Sequence, residues 1–182
     1  NPIENQVVDI NGDGLINEND RYRDRERGSV PRHNIGFNTN FKYKKFSANM
    51  AFHSNIGHYI FARSSDNLAS IYSGLFRGNL HTTYLDTNFT QTGNVNQNFS
   101  DYYLQNASFI KMDNITFNYD FGNILNPQSE TSRLRVSASV QNVFVITDYE
   151  FGDPEPSYNF GSDTQGDYTS PRTFTLGLNV NF

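Results

Sequence analysis

Cysteine and tryptophan are both absent from this chain. Without thiols there is no disulfide framework, no thiolate metal site and no cysteine nucleophile. No apolar run approaches the ~18 residues that a membrane-spanning helix needs, which excludes helical spans but not short alternating ones. An excess of positive charge is missing too. The 14 Lys and Arg stand against 19 Asp and Glu, a net charge of −5 that argues against nucleic acid as a partner. Arg21, Arg23, Arg25 and Arg27 do cluster, but Asp24 and Glu26 lie among them, so the stretch reads as a self-neutralising solvated loop. Catalytic constellations are equally lacking. His33, His53, His58 and His81 have no metal-ligand spacing, and no Ser/His/Asp set or phosphate-cradling glycine loop occurs, so the chain is not expected to be an enzyme.

What the chain does have is aromatic residues, 16 Phe and 11 Tyr, set among many asparagines. They fall into a two-residue period. In NIGFNTNFKYK, Ile35, Phe37, Thr39, Phe41 and Tyr43 share one face, and Gly36, Asn38, Asn40 and Lys42 the other. The next run sets Phe46, Ala48, Met50 and Phe52 against Ser47, Asn49 and His53. A third is noisy at its start and then clean, with Ile115, Phe117, Tyr119 and Phe121 against Asn114, Thr116, Asn118 and Asp120. Leu134, Val136, Ala138 and Val140 oppose Arg135, Ser137, Ser139 and Gln141, and Phe174, Leu176, Leu178, Val180 and Phe182 oppose Thr175, Gly177, Asn179 and Asn181.

These segments run to roughly ten residues or more, above the usual strand length of about 5–6. Transmembrane β-strands need ~9–11 residues with one apolar and one polar face. The expected fold is therefore all-β: about five antiparallel strands of a larger transmembrane barrel, with His53 lining its wet interior. Tyr43, Tyr119 and Tyr149 fall near strand ends, where an aromatic girdle would meet the membrane surface. A soluble antiparallel sheet with one solvated face is the alternative. The connections alternate in length. Those at Lys44–Lys45 and around Gly122–Thr131 are short, whereas Ala62–Asn106, Asp148–Arg172 and the stretch before His33 are long. Short turns facing the periplasm and long loops facing outside would give this pattern and place the C-terminus in the periplasm. Residues 1–33 then form one outer loop, and 34–182 the strands with outer loops 62–106 and 148–172.

One outer loop carries the most specific local motif, DINGDGLINEND. Positions 1, 3, 5, 7 and 12 of a calcium loop of the EF-hand or dockerin type fall on Asp9, Asn11, Asp13, the Leu15 carbonyl and Asp20, with Gly14 at the sharp turn. Asp20 in place of a bidentate Glu points to a structural Ca²⁺ rather than a switch, and Ile16 supplies an apolar peg. A bare turn is the alternative, since Asn11-Gly12 and Asp13-Gly14 are strong turn formers. GDPEP at Gly152–Pro156 reads as a rigid turn in a long loop.

Five stretches together resemble a known family. DINGDGLINENDR, GFNTNFKYKKFS, DYYLQNASFIKMDNITFNY, RVSASVQNVFVITDY leading to Asp153–Glu155, and TFTLGLNVNF resemble, in order, the C-terminal portion of SusC/RagA-type TonB-dependent outer-membrane transporters. The terminal Phe182 resembles the signal read by the barrel assembly machinery. The resemblance implies a barrel of about 22 strands with an internal plug, in the outer membrane and in contact with the lipid bilayer. It also implies a SusD-like surface lipoprotein as partner, energy from the TonB complex, and oligosaccharides or peptides as cargo. Neither plug nor TonB-contacting segment is found in these residues, and the chain opens on NPIENQ without a leader. It is thus expected to be a partial or processed polypeptide, completed by the rest of its chain or by a complementing subunit. Two other functions stay open: a structural barrel subunit without an import role, and a secreted, Ca²⁺-stabilised β-sandwich that binds glycans.

Overall fold

The structure is a computed structural model that describes residues 9–15, 17–62, 101, 104–125, 127–128, 131–150, 152–155, 161 and 170–181. Its strands are β1 (His33–Tyr43), β2 (Phe46–Ile56), β3 (Tyr59–Phe61), β4 (Leu104–Asn106), β5 (Phe109–Gly122), β6 (Arg133–Thr147) and β7 (Thr173–Asn181). Contacts divide the chain into two units. One comprises the described residues of Arg32–Ile56, Phe109–Thr147 and Thr169–Phe182; the other comprises those of Asn1–Pro31, Gly57–Ser108 and Asp148–Tyr168.

The first unit is a five-stranded antiparallel sheet in the order β1-β2-β5-β6-β7. Neighbours in this sheet are neighbours in the chain apart from the excursion between β2 and β5. The register carries each strand's alternation across the whole sheet. Phe41, Ala48, Phe117, Ala138 and Leu176 form one transverse row, and Thr39, Met50, Ile115, Val140 and Phe174 another. The residues between them in sequence, Asn40, Asn49, Thr116, Ser139 and Thr175, form a row on the opposite face. Aromatic contacts knit the apolar face, with Phe37 and Phe52 centroids 6.1 Å apart and Phe46 and Phe117 5.9 Å apart.

That apolar face is open. Leu176 is 85% exposed, Phe174 73% and Phe37 59%. A sandwich would bury these side chains against a second sheet, so the soluble alternative loses its main support. In a barrel wall the same side chains meet hydrocarbon.

Two local features shape the sheet. The β1–β2 hairpin closes through Lys44–Lys45, with Tyr43 paired to Phe46 and Lys44 in the left-handed region at φ 53°. Near the other end, the register between β2 and β5 shifts at Ala51/Phe52, and between β5 and β6 at Met112/Asn114. Asp113 is the extra residue on β5, and Asn142 across from it takes φ 52°. The bulge re-phases β5: odd residues share the apolar rows below it, whereas Met112, an even residue, pairs with Phe52 and Phe144 above it. This is why the sequence alternation is noisy at the start of this strand.

The second unit contains the ribbon β3–β4, paired from Tyr59↔Asn106 to Phe61↔Leu104. Sequence reading placed 62–106 in a loop; β4 shows that its final residues are a strand, too short for a two-residue period to mark. Most of that stretch lies outside the described residues.

If the two faces are assigned correctly, Phe117→Arg should destabilise the assembled barrel by about 2–4 kcal/mol, as a cation does at the bilayer midplane. The neighbouring change Thr116→Arg should be far milder. Denaturant unfolding of the full protein in lipid vesicles measures both, and equal effects would show the faces to be misassigned.

Candidate functional site

The polar face of the sheet is one candidate surface. Amides dominate it, and they pair across strands: Asn34 Nδ2 donates to Asn55 Oδ1 at 2.9 Å, and Asn40 donates to Asn49. At the bulge, His53 Nδ1 lies 2.7 Å from the Asp113 carboxylate, and the His53 ring meets Phe109 edge-on at 5.2 Å. The sequence placed His53 on this face; Asp113 joins it there because the bulge adds a residue to β5. At the Lys44–Lys45 end of the same face, Lys42, Lys45, Arg133, Arg135 and Asp120 line one concavity, and Asp120 is ion-paired with Arg133 at 3.7 Å and Arg135 at 3.5 Å. Sequence reading missed that cluster, since its members come from three strands and a turn.

The second unit is held by polar contacts around a small core of Ile60, Ala62, Ala107 and Tyr149. β3 is tied on both sides: Tyr59 N–H donates to Gly28 O at 2.9 Å, and Phe61 N–H to Gly161 O at 2.8 Å. Gly161 sits at φ 87°, and a Cβ there would lie 2.2 Å from that of Ser29, so this approach requires glycine. His58 is fully buried and its Nε2 contacts Pro154 O at 3.1 Å. Asp153 Oδ1 accepts the Glu155 N–H, so Gly152–Glu155 is an anchored turn, while Pro156 lies outside the described residues.

Arg27 crosses from one segment to another. It donates to Asp24, to Asp101 at 2.9 Å and to the Tyr22 hydroxyl at 3.1 Å. Backbone N–H groups of Arg27 and Glu26 and the Arg27 side chain hold Asp24 below the usual carboxylate range. The self-neutralising reading thus holds for Arg27 with Asp24 and for Arg21 with Glu18, but the link to Asp101 was invisible in the local sequence.

The Asp9–Asp20 loop closes on itself. Asp9 accepts the N–H groups of Gly12 and Gly14 at 2.7 and 2.8 Å, both glycines having positive φ (74° and 79°). Asn11 and Asp13 exchange hydrogen bonds, Asp13 also accepts the Leu15 N–H, and the Leu15 carbonyl accepts from Asn17 Nδ2. Asp20, 7% exposed, accepts the N–H of Ile10 at 3.0 Å and of Asn17 at 2.8 Å. Asn17 in turn caps the 3-10 turn Glu18–Asp20. As donors the oxygens of Asp9, Asn11, Asp13, Leu15 and Asp20 suit a hard cation such as Ca²⁺. In arrangement, no three acidic or histidine side chains among the described residues converge at metal-holding distance. Ile16 and Phe182 lie outside the described residues.

No known protein-family profile matches the chain. It is 33% identical over its whole length to the TonB-dependent receptor SusC of Bacteroides thetaiotaomicron, of which it spans 18%. It is 27% identical over 96% of its length to the TonB-dependent receptor P3 of Formosa agariphila, again spanning 18% of that protein. In fold it matches the RagAB peptide importer. In the 'closed-closed' state the TM-score is 0.72 at 19% identity, over 99% of this chain and 21% of that one. In the 'open-open' state it is 0.68 at 22% identity, over 86% and 18%.

The Asn17 N–H is the largest influence holding the Asp20 carboxyl below its ordinary value of 3.8. A lowered folded-state value means that the carboxylate supports the loop above the ordinary value and loses that support as pH falls through the lowered one. The amide signals of Ile10 and Asn17, followed by NMR, should therefore titrate together with a midpoint below 3.8. A midpoint at or above that value would contradict the geometry.

Proposed function

The chain belongs to the SusC/RagA-type TonB-dependent receptors of the outer membrane, and on that footing we propose that it forms part of the wall and outer loops of an importer for oligosaccharides or peptides. Its relatives are receptors and transporters, and it is not an enzyme. The observation that carries the proposal is the two-faced register kept across all five strands. Apolar rows suit contact with lipid. The rows behind them are rich in amides and hydroxyls, which offer a polar cargo many weak hydrogen bonds. Passage requires that balance, since a site that binds too well does not release.

The chain spans 18% of the curated relatives it matches, so the complete activity rests on residues beyond it. In the proposed arrangement further strands close the barrel and a part outside these residues contacts the TonB complex. A SusD-like lipoprotein covers the outer mouth. The long connections face outside and the C-terminus faces the periplasm, in keeping with the alternation of short and long connections. Phe182 serves the assembly machinery. Cells lacking the complete protein should fail to grow on the oligosaccharide or peptide cargo while still growing on its monomers. The detergent-extracted protein should bring a surface lipoprotein with it. Undiminished growth together with the absence of a lipoprotein would leave only a structural wall.

Within the Asp9–Asp20 loop we propose Ca²⁺ as the ligand, supported by five oxygen donors at calcium-loop spacing. Calorimetry on the full protein should detect Ca²⁺ binding that Asp13→Ala abolishes, with the barrel still assembled. Failure of the wild-type protein to bind Ca²⁺ would refute the assignment.

A further inference from the structure

Asn11 is the only asparagine of the chain that a glycine follows. Without a Cβ on the next residue, the backbone nitrogen is unshielded and can attack the side-chain amide carbon. Around Gly12 the way is open: where a Cβ would stand, no described residue comes within 4 Å. The hydrogen bonds of Asn11 with Asp13 are also exposed to solvent. The amino-acid order therefore marks a reactive pair, and the fold adds two groups that a bare Asn-Gly lacks.

The first is a base. The Gly12 N–H, which must lose its proton for the attack, donates to Asp9 Oδ1 at 2.7 Å, within reach of proton transfer. The second is a donor for the negative charge that develops on the amide oxygen. Asn11 Oδ1 accepts the Asp13 N–H at 2.9 Å, and this bond folds the side chain over the Gly12 peptide. The leaving nitrogen is held as well, since Asn11 Nδ2 donates to Asp13 Oδ2 at 3.0 Å. Asp13-Gly14 repeats the layout, with the Leu15 N–H on Asp13 Oδ1 and the Gly14 N–H on Asp9 Oδ2. A carboxylate anion resists attack where a neutral amide accepts it, so the chemistry singles out Asn11.

We propose that Asn11 is a self-modification site, deamidated within its own loop with Asp9 as the base. The Gly12 nitrogen bonds to Asn11 Cγ as its proton passes to Asp9. The Cγ–Nδ2 bond then breaks, and the departing nitrogen takes up that proton to leave as ammonia. Water opens the cyclic imide left behind, giving aspartate or isoaspartate at position 11. Overall one ammonia is exchanged for one water, with no oxidant or reductant. The product adds a carboxylate at the third position of the loop. Under the Ca²⁺ reading that position changes from a neutral to a charged donor; the deamidation itself does not rest on that reading.

Timed peptide mass spectrometry of the full protein in detergent, at neutral pH with a chelator present, follows each asparagine. The chelator keeps the Asp9 oxygens available to Gly12. Asn11 should convert while Asn17 and Asn19 of the same loop stay intact. Asp9→Asn, in a barrel that is still heat-modifiable, should slow the conversion by about a hundredfold, the lower end of what a positioned base contributes. Unfolding the wild-type chain in urea is the second measurement. It keeps the Asn11-Gly12 pair but disperses the Asp9 carboxylate and the Asp13 N–H, and it should slow the reaction too. Conversion as fast in urea as in the folded protein overturns the proposal. So does conversion undiminished by Asp9→Asn, or an Asn11 that persists in the folded chain.

Discussion

The pleat of the β-strand is the constraint on which the rest of this molecule depends. Successive side chains point to opposite faces, so one strand can present Phe to hydrocarbon and Asn to water only while its register holds. Within a bilayer the backbone must also find all its hydrogen bonds inside the sheet. The inner strands β2, β5 and β6 meet both demands in one ladder, in which Phe41, Ala48, Phe117, Ala138 and Leu176 line up while Asn40, Asn49, Thr116, Ser139 and Thr175 line up behind them. A slip of a single residue would turn every asparagine of a strand toward lipid.

The ladder between β5 and β6 is irregular at Asp120/Gly122 and again at the bulge on Asp113, and the two faces survive the bulge. Because β5 gains a residue against β2 and β6 gains one against β5, Phe37, Phe52, Met112 and Phe144 still form a row. The added residue brings a carboxylate to His53. Bulges commonly re-aim side chains in this way, and here the result is a histidine–carboxylate contact among the amides and hydroxyls of the polar face.

Among the described residues of the second unit the apolar core is small, Ile60, Ala62, Ala107 and Tyr149, and directed polar contacts accompany it. Arg27 joins Asp24 and Asp101, His58 contacts the Pro154 carbonyl, and the Asp9 and Asp20 carboxylates gather backbone N–H groups. Exposed ion pairs contribute little singly, and the Arg27–Asp101 and Asp9 contacts are exposed. Those of Asp20 and of Arg27 with Asp24 are part-buried, and that of His58 is buried.

The long strands, their inward and outward faces and the hairpin at Lys44–Lys45 were legible in the amino-acid order. They are consequences of nearest-neighbour geometry, repeated over nine residues or more, and a period of two needs no knowledge of the partner strand. The turns of the Asp9–Asp20 loop are local as well, since the hydrogen bonds of Asp9, Asn11, Asp13 and Asp20 described above lie within one short segment. Three-residue strands β3 and β4 are too short to show a period. Arg27 with Asp101, Gly161 against Ser29, and the gathering of Lys42, Lys45, Arg133 and Arg135 join residues far apart in the chain. Such meetings depend on register and on where the chain returns, and those are properties of pairing between strands rather than of any one strand. The alternation could say that Arg135 faces away from lipid; the ladder had to say which cations stand beside it.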